Sequence, residues 1–329
     1  MKISSDDLFM KRALQLAELG KATAHPNPMV GAVIVHDNRI IGEGYHEKFG
    51  EAHAEVNAIN SVSDKRLLVT SKLYVTLEPC SHYGKTPPCA DLIVRSGIPE
   101  VFIGVRDPFS KVDGRGIKKL LEAGVKVTEG ILEEECRDLN VKFFTAHEKK
   151  RPYITLKWAV SSDGYMGRKV ENVLTPVSYS TPATSVLVHK LRSEHDAIMT
   201  GAGTVLSDDP RLDLRFFPGR NPLKVILDSR GDVPKCANIF KGADVLYFSD
   251  IKRNDLLSNA KSITDVDTHD LNGVMRRLYD EGITSVLVEG GATLMNRLIE
   301  AGLYDSMREE ISPIKLGSDG YGQIELKLF

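Results

Sequence analysis

The sequence is poor in cysteine, lacks long apolar runs and carries almost no net charge. Four cysteines in 329 residues are too few for a disulfide scaffold, so two that lie close together are better interpreted as metal ligands or nucleophiles. No stretch of 18 apolar residues exists, and residues 1–11 are too polar for a secretory signal. We therefore expect no membrane partner and a cytoplasmic protein.

The charge is balanced along the whole chain. Lys and Arg number 43 against 45 Asp and Glu, which gives a net charge of −2. The balance is 21 to 21 in residues 1–150 and 22 to 24 in residues 151–329. Nucleic-acid-binding proteins usually carry a basic face that neutralises phosphates. We therefore expect a small-molecule partner and no nucleic acid.

Strand-like apolar runs alternate with helical patterns in both halves, which predicts two α/β domains with mainly parallel sheets between helices. The charged stretch 147–152 predicts a linker between a domain over 1–147 and a domain over 151–329. The predicted strands are 30–35, 39–44, 73–77, 101–105, 125–129, 153–160, 197–200, 223–227, 245–248 and 285–288. The predicted helices are 6–20, one from about 53, 89–96, 117–123, 182–194, 271–281 and 293–301.

The sharpest local pattern is His53-Ala54-Glu55, followed by Pro79-Cys80 and then Cys89. One imidazole and two thiolates give zinc three protein ligands and leave a fourth position for water. Bound zinc lowers the pKa of that water from ~15.7 to roughly 7. Glu55 lies two residues beyond His53, where a carboxylate can carry protons without binding the metal. This pattern is typical of zinc-dependent base deaminases.

The same pattern is compatible with alternative kinds of protein. A structural zinc site usually has four protein ligands, and no obvious fourth completes this one. A zinc-stabilised binding module needs neither Glu55 nor a second domain. The main alternative is a zinc-dependent nucleotide or nucleic-acid base deaminase with an accessory nucleotide-binding domain. An enzyme that binds a nucleic-acid strand needs a basic surface, and the balanced charge of this chain argues against one. Metal content and ammonia release distinguish these possibilities.

Three motifs of the first half resemble the cytidine-deaminase superfamily: residues 25–32 (His-Pro-Asn-Pro-Met-Val-Gly-Ala), residues 42–46 and His-Ala-Glu. The long loop between Cys80 and Cys89 is similar to that of the bifunctional deaminase/reductase family of riboflavin biosynthesis. The resemblance implies an N-terminal cytidine-deaminase-like α/β/α domain with one zinc ion per chain. The implied zinc ligands are His53, Cys80 and Cys89, and the implied catalytic residue is Glu55. The implied substrate contacts are Asn27, His46, His82 and Lys85, of which Lys85 meets a phosphate.

The second half resembles the same family in residues 151–157, 161–164, 201–212 and 288–294. The resemblance implies a dihydrofolate-reductase-like α/β domain that uses NADPH. The implied cofactor contacts are Val160, Thr204, Asp208, Ser229, Gly291, Ala292, Thr293, Leu294, Met295 and Asn296. The implied substrate contacts are Arg192, Leu212, Arg215 and Glu289. Lys157 and Glu289 are the candidates for assisting proton transfer.

The Gly290-Gly291 turn also has an independent physical interpretation. A strand runs into the two glycines and a helix follows, so backbone N–H groups and a helix N-terminus can meet a phosphate. The pattern lacks the Gly-x-Gly-x-x-Gly fingerprint, which argues against a standard dinucleotide-binding Rossmann domain.

The family resemblance implies a homodimer that acts on a phosphorylated diaminopyrimidine. The first domain would deaminate the pyrimidine, and the second would reduce the ribosyl chain to ribityl with hydride from NADPH. The chain departs from the family pattern at residues 176–180, where a tryptophan is missing, which affects contacts expected at Pro176 and Ser178.

Overall fold

The computed structural model describes residues 4–21, 23–81, 83, 87–109, 112–171, 173–175 and 177–325. The chain divides into two compact units, Met1–Glu148 and Lys149–Phe329. Each has its own sheets and apolar cores. Across the described residues, no helix has both the length and the apolar character that crossing a membrane requires.

The first unit is an α/β/α sandwich around a five-stranded sheet with the order β2-β1-β3-β4-β5. Strand β1 runs antiparallel to both of its neighbours, and the other four strands share one direction. Its elements are α1 (Ser5–Glu18), β1 (Gly31–His36), β2 (Arg39–Tyr45), α2 (Ala54–Ser61), β3 (Lys72–Leu77), α3 (Cys89–Arg95), β4 (Glu100–Val105), α4 (Arg115–Glu122), β5 (Lys126–Glu129), α5 (Glu133–Leu139) and α6 (Val141–Lys149).

Strand β1 shows how both faces of this sheet are buried. Ala32 and Ile34 face the core that α2, α3 and α4 close, whereas Val33 and Val35 face the core that α1, α5 and α6 close. Alternate side chains of a strand point to opposite faces, so a continuous apolar run such as β1 requires helices on both sides.

The second unit contains a seven-stranded sheet with the order β12-β11-β10-β9-β13-β6-β14, and all six strand pairs are parallel. A separate small sheet has the order β15-β7-β8. The elements are β6 (Tyr153–Val160), β7 (Gly167–Val170), β8 (Val173–Thr175), α7 (Pro182–Ser193), β9 (Ala197–Gly201), α8 (Ala202–Asp208), β10 (Leu223–Leu227), β11 (Val245–Phe248), β12 (Ala260–Ile263), α9 (Leu271–Asp280), β13 (Ser285–Glu289), α10 (Ala292–Glu300), β14 (Ser306–Ile311) and β15 (Gly320–Tyr321).

The structure confirms the predicted α/β fold, and the segment between α6 and β6 is shorter than the predicted linker over residues 147–152. His147, Glu148 and Lys149 form the last turn of α6, so only residues 150–152 lie between this helix and β6. Arg151 is held in place by the Asp305 carboxylate, which also accepts a hydrogen bond from the Ile154 N–H at 2.9 Å. The charged stretch is therefore the end of α6 followed by Arg151, which is ion-paired with Asp305 of the second unit. Helices α5, α6 and α8 and strands β7, β8, β12, β14 and β15 have no counterpart among the predicted elements.

Candidate metal centre and candidate active sites

Three potential zinc ligands meet in the first unit. The Nδ1 atom of His53 lies 3.5 Å from the Sγ atom of Cys80 and 3.3 Å from that of Cys89. All three ligand atoms lie within 4.8 Å of one another, and they form the one such group found among the described residues. Tetrahedral zinc with Zn–S of about 2.3 Å and Zn–N of about 2.0–2.1 Å requires N···S separations of about 3.6 Å. The donor set therefore fits one zinc ion.

Local backbone structure brings the ligands together. His53 is the N-cap of α2, Cys80 lies in the loop after β3, and Cys89 is the first residue of α3. The N–H of Cys89 points to the Sγ atom of Cys80 at 3.3 Å, and the N–H of Ala90 donates to the Cys80 carbonyl. An N–H at a helix start stabilises a thiolate. The hydrogen bond from the Cys89 thiol lowers the pKa of Cys80 more than burial raises it, and the His53 side chain and the Cys89 N–H act in the same direction as the thiol. These contacts favour the thiolate form of Cys80, the form that binds zinc.

Glu55 lies in the first turn of α2 and is almost fully buried, with 3% of its surface exposed. Burial raises the pKa of its carboxyl group to about 7, and the negative charge of Cys80 acts in the same direction. The side chain lines the same cavity as His53 and Cys80. The structure thus places the predicted proton carrier beside the predicted metal ligands.

His46 is held in one tautomer. Its Nε2 atom lies 3.0 Å from the Nδ2 atom of Asn27, and its Nδ1 atom lies 3.1 Å from the Ala52 carbonyl oxygen. Because an amide nitrogen only donates, Nε2 accepts and Nδ1 carries the proton. Burial lowers the pKa of His46, which favours this neutral form. Asn27 and His46 both line the cavity.

Glu78 fixes the backbone that carries Cys80. This buried carboxylate accepts hydrogen bonds from the backbone N–H groups of Gly116 at 2.9 Å, Gly114 at 3.0 Å, and Asp107 and Ile117 at 3.3 Å. Residue 116 must be glycine because a Cβ atom there would lie 2.0 Å from the Pro79 carbonyl oxygen. The start of α4 is thereby clamped against the Pro79-Cys80 peptide, a role that the sequence did not reveal.

The cavity at the metal centre has a volume of about 340 Å³, within the usual range for small-molecule sites. Asp107 contributes a buried carboxyl group, and burial raises its pKa to about 7. Side chains from α6 also form part of the wall, namely Phe143 and His147. The sequence analysis did not predict either of them as a site residue. Of the predicted substrate contacts, His82 and Lys85 lie outside the described residues.

The predicted reductase residues gather at one edge of the second sheet. Because its strands are parallel, their carboxyl ends meet there, which is where ligands bind in open α/β sheets. Val160 ends β6, Gly201 ends β9, and Glu289 ends β13. Ser229 follows β10 closely. The Oγ1 atom of Thr200, near the end of β9, is buried and has no hydrogen-bond partner in the described structure.

The N-terminus of α10 has the features of a phosphate site. Its N-cap is Gly291, which has an extended backbone (φ −74°) and makes no capping hydrogen bond through a side chain. The Gly291 N–H donates to the Thr204 hydroxyl at 2.9 Å, which joins the starts of α8 and α10. The first N–H groups of an uncapped helix can bind an anion. Together with the unpartnered Thr200 hydroxyl, this arrangement fits a phosphate-bearing cofactor such as NADPH.

Four other predicted cofactor residues have different surroundings. The side chains of Leu294 and Met295 are buried in the core, and the Met295 N–H donates to the Gly291 carbonyl at 3.2 Å. The Asn296 amide is bonded to the Gln323 carbonyl and to the Glu325 N–H, both at 3.0 Å. Asp208 is exposed and accepts a hydrogen bond from Ser207.

Two predicted substrate contacts bind each other. Arg192 donates two hydrogen bonds of 2.7 Å to Glu289 and one of 3.0 Å to the Asp213 carbonyl. Although burial disfavours the charged form of Glu289, the neighbouring Arg192 outweighs it and lowers the pKa of Glu289. Lys157 is opposite Glu289 in the β13–β6 register and forms an ion pair with Glu310 at 3.5 Å. Arg192 therefore orients the Glu289 carboxylate.

The remaining predicted substrate contacts lie nearby in the chain. Leu212 is buried with a positive φ of 49°, and Arg215 pairs with Asp213 at 3.5 Å while its N–H donates to His189. Pro176 lies outside the described residues, and Ser178 lies in an irregular segment.

The first unit thus has the fold and the ligand set of a zinc-dependent deaminase. The second has a parallel sheet and a helix N-terminus, that of α10, which can bind the phosphate of a nucleotide cofactor. Two family models match the chain. The cytidine and deoxycytidylate deaminase zinc-binding region matches residues 3–105, and the RibD C-terminal domain matches residues 152–328. Neither of these two matches covers residues 106–151.

Curated relatives and solved structures agree with these matches. The riboflavin biosynthesis protein RibD of Aquifex aeolicus is 39% identical over 319 residues, which cover 95% of this chain and 88% of the relative. A deaminase/reductase structure from Thermotoga maritima has a TM-score of 0.83 at 39% identity and covers 97% of this chain and 89% of its own. RibD of Acinetobacter baumannii has a TM-score of 0.88 at 33% identity, with coverages of 100% and 92%.

The chain belongs to the RibD family, the bifunctional deaminase/reductases of riboflavin biosynthesis. This confirms the resemblance inferred from the motifs. Zinc and NADPH are accordingly its cofactors, and the cluster of His53, Cys80 and Cys89 fits the zinc.

Proposed function

We propose that the first unit deaminates 2,5-diamino-6-(5-phosphoribosylamino)pyrimidin-4-one and that the second reduces the ribosyl chain of the product to ribityl. The observation that carries this proposal is that Glu55, His46 and Asn27 line one cavity with His53 and Cys80, which form a three-ligand group with Cys89. The related Thermotoga structure is named as a deaminase and reductase for this pair of phosphoribosylaminopyrimidines. The same proposal assigns deamination to residues 1–147 and reduction to residues 151–329.

In the first unit, the chain's own residues would position the base and move protons. His53, Cys80 and Cys89 would hold a zinc ion, which would supply an activated water when bound. The Glu55 carboxylate takes a proton from the attacking water and delivers protons to the ring nitrogen and the departing amine. The amino group leaves as ammonia, and an oxygen takes its place on the ring carbon. His46, fixed as the Nδ1–H tautomer, and Asn27 orient the ring.

In the second unit, NADPH supplies the hydride that the ribosyl C1′ receives. The helix start at Gly291 and the Thr204 hydroxyl hold the cofactor phosphates, and Val160 and Ser229 border the same strand ends. The Glu289 carboxylate, oriented by Arg192, assists the accompanying proton transfer together with Lys157. The Arg215 guanidinium, partly exposed, binds the substrate phosphate.

We also propose a cytoplasmic homodimer that acts on small molecules only. Strand β14 is an edge strand of the seven-stranded sheet, and it exposes Met307 and Ile311, with 66% of the latter accessible. Exposed apolar side chains on a sheet edge favour association with a second copy. Sedimentation of the purified protein measures the subunit number directly.

The decisive experiment is incubation with the diaminopyrimidine phosphate, with and without NADPH, followed by mass spectrometry. Without NADPH we expect only exchange of an amino group for oxygen, and with NADPH also the reduced ribityl product. Single-stranded DNA serves as the comparison substrate for ammonia release. Deamination of DNA in preference to the pyrimidine would contradict the proposal.

A further inference from the structure

Helix α6 lies outside the stretches that the two family models match, yet it forms part of the cavity wall. Phe143 and His147 line this cavity together with His53 and Cys80, two of the three metal ligands. Their spacing of four residues places both on one face of the helix. A single helical stripe therefore builds this side of the cavity. Asn140, the C-cap residue of α5, lies directly before α6.

The aromatic side chains of the stripe support one another. The His147 ring packs edge-on against Phe143, with centroids 4.5 Å apart, and contacts Phe109 at 5.1 Å. All three line the cavity. Edge-to-face pairs at such distances are favourable, so the rings of Phe109, Phe143 and His147 stabilise one another and form one continuous aromatic surface.

Asn140 fixes the stripe to the loop that carries Asn27. Its Oδ1 atom accepts from the Met29 N–H and its Nδ2 atom donates to the Met29 carbonyl, both at 2.8 Å. Asn140 is buried, with 6% of its surface exposed. A two-point pairing of an amide side chain with a peptide sets both position and orientation. The loop in turn presents Asn27 to His46.

We propose that Phe143 is a substrate-contacting residue of the deaminase site and that Asn140 is the positioning residue that holds α6 against the loop over residues 26–30. The inference rests on the proposed function of this cavity. A flat pyrimidine packs favourably on an aromatic ring, and Phe109 and Phe143 are the two phenyl rings among the residues that line the cavity. Phe143 supplies such a ring on a helix, a rigid support.

The test uses Phe143→Leu and its neighbour Phe144→Leu as a matched pair. Phe144 is 2% exposed in the core and does not line the cavity, so its substitution removes a buried ring and its contacts with Arg137 and Phe143 but changes no lining side chain. A substrate contact that is equal in the ground and transition states changes KM and leaves kcat unaltered. We expect Phe143→Leu to raise the KM of deamination at least fivefold with kcat within twofold, and Phe143→Tyr, which keeps the ring, to restore KM.

The expected result for Phe144→Leu is a lower Tm with KM within twofold of the parent. Asn140→Asp keeps the acceptor for the Met29 N–H but sets an oxygen against the Met29 carbonyl, so we expect a higher KM for deamination with unchanged reduction of supplied deaminated substrate. An active parent whose Phe143→Leu variant is folded and unchanged in KM would overturn this inference alone. A parent that releases no ammonia from the diaminopyrimidine would overturn the proposed function as well.

Discussion

Replacing Gly291 with valine tests the reductase site most sharply, because the structure separates the effect on the cofactor from the effect on the fold. Gly291 has an ordinary φ of −74°, and an added Cβ atom would meet only the Thr204 hydroxyl, at 3.5 Å. Backbone strain is therefore absent. The remaining cost is that of a poor N-cap residue, about 0.5–1 kcal/mol, which lowers Tm by a few degrees.

The effect on NADPH should be larger. A branched side chain at the N-cap stands in front of the first N–H groups of α10, where a phosphate would bind. We expect the Kd for NADPH to rise tenfold or more, on the order of 1.4 kcal/mol, with Gly291→Ala intermediate. Fluorescence titration measures the Kd, and thermal melting measures stability in parallel.

Ala301→Val is the matched control for this prediction. Ala301 is the exposed C-cap of α10, so the substitution adds the same branched bulk at the opposite end of the helix. We expect an unchanged Kd there, and unchanged deamination in both variants. A well-folded Gly291→Val protein with the parent Kd would refute the assignment of the cofactor phosphates to this helix start.

Three further predictions concern charged groups. Glu55→Gln should keep zinc and slow deamination at least ~100-fold, since positioned acid–base groups contribute about 10²–10⁴; a rate near that of the parent excludes Glu55 as the proton carrier. Glu78→Gln should lower the free energy of unfolding by about 2–3 kcal/mol in chemical denaturation. The amide NH2 group of glutamine cannot accept the hydrogen bonds that a carboxylate oxygen now accepts from the backbone N–H groups. A variant as stable as the parent would contradict the role of Glu78 in holding the start of α4. Asp305→Asn should be destabilising at neutral pH. Despite burial, Arg151 and the Ile154 N–H lower the pKa of Asp305 in the folded chain, so its stabilisation is present above the unfolded pKa of about 3.9 and fades as pH falls below it. The stability gap between the parent and Asp305→Asn should therefore shrink in acid, and a gap that does not depend on pH would exclude this ionic contribution.

Local patterns were sufficient to predict the buried strands and the metal ligands. The bounds of β6, β10 and β11 agree with the prediction because buried parallel strands are apolar runs between polar residues. The zinc ligands were predictable because their motif is short and two of the three lie next to a helix start. The close approach of these ligand atoms in the structure agrees with the prediction.

Long-range pairing was not predictable from one sequence. Strand β14 has charged residues on a sheet edge, so it lacks the apolar run of a buried strand. Asn140 and Met29 lie 111 residues apart, and Arg192 lies 97 residues from Glu289. No periodicity links such partners. For the same reason the contribution of α6 to the cavity was missed, although the four-residue spacing of Phe143 and His147 is itself helical.

The central claim is that zinc held by His53, Cys80 and Cys89 is required for deamination in the first unit and not for reduction in the second. The most direct measurement is zinc per chain by elemental analysis, together with both activities, in the parent, Cys80→Ser and Cys236→Ser. Cys236 is exposed and lies outside the ligand group, so it serves as the matched control. We predict one zinc per chain in the parent and in Cys236→Ser, and loss of zinc and deamination together in Cys80→Ser, which still reduces supplied deaminated substrate. Deamination that persists in zinc-free Cys80→Ser would contradict the account.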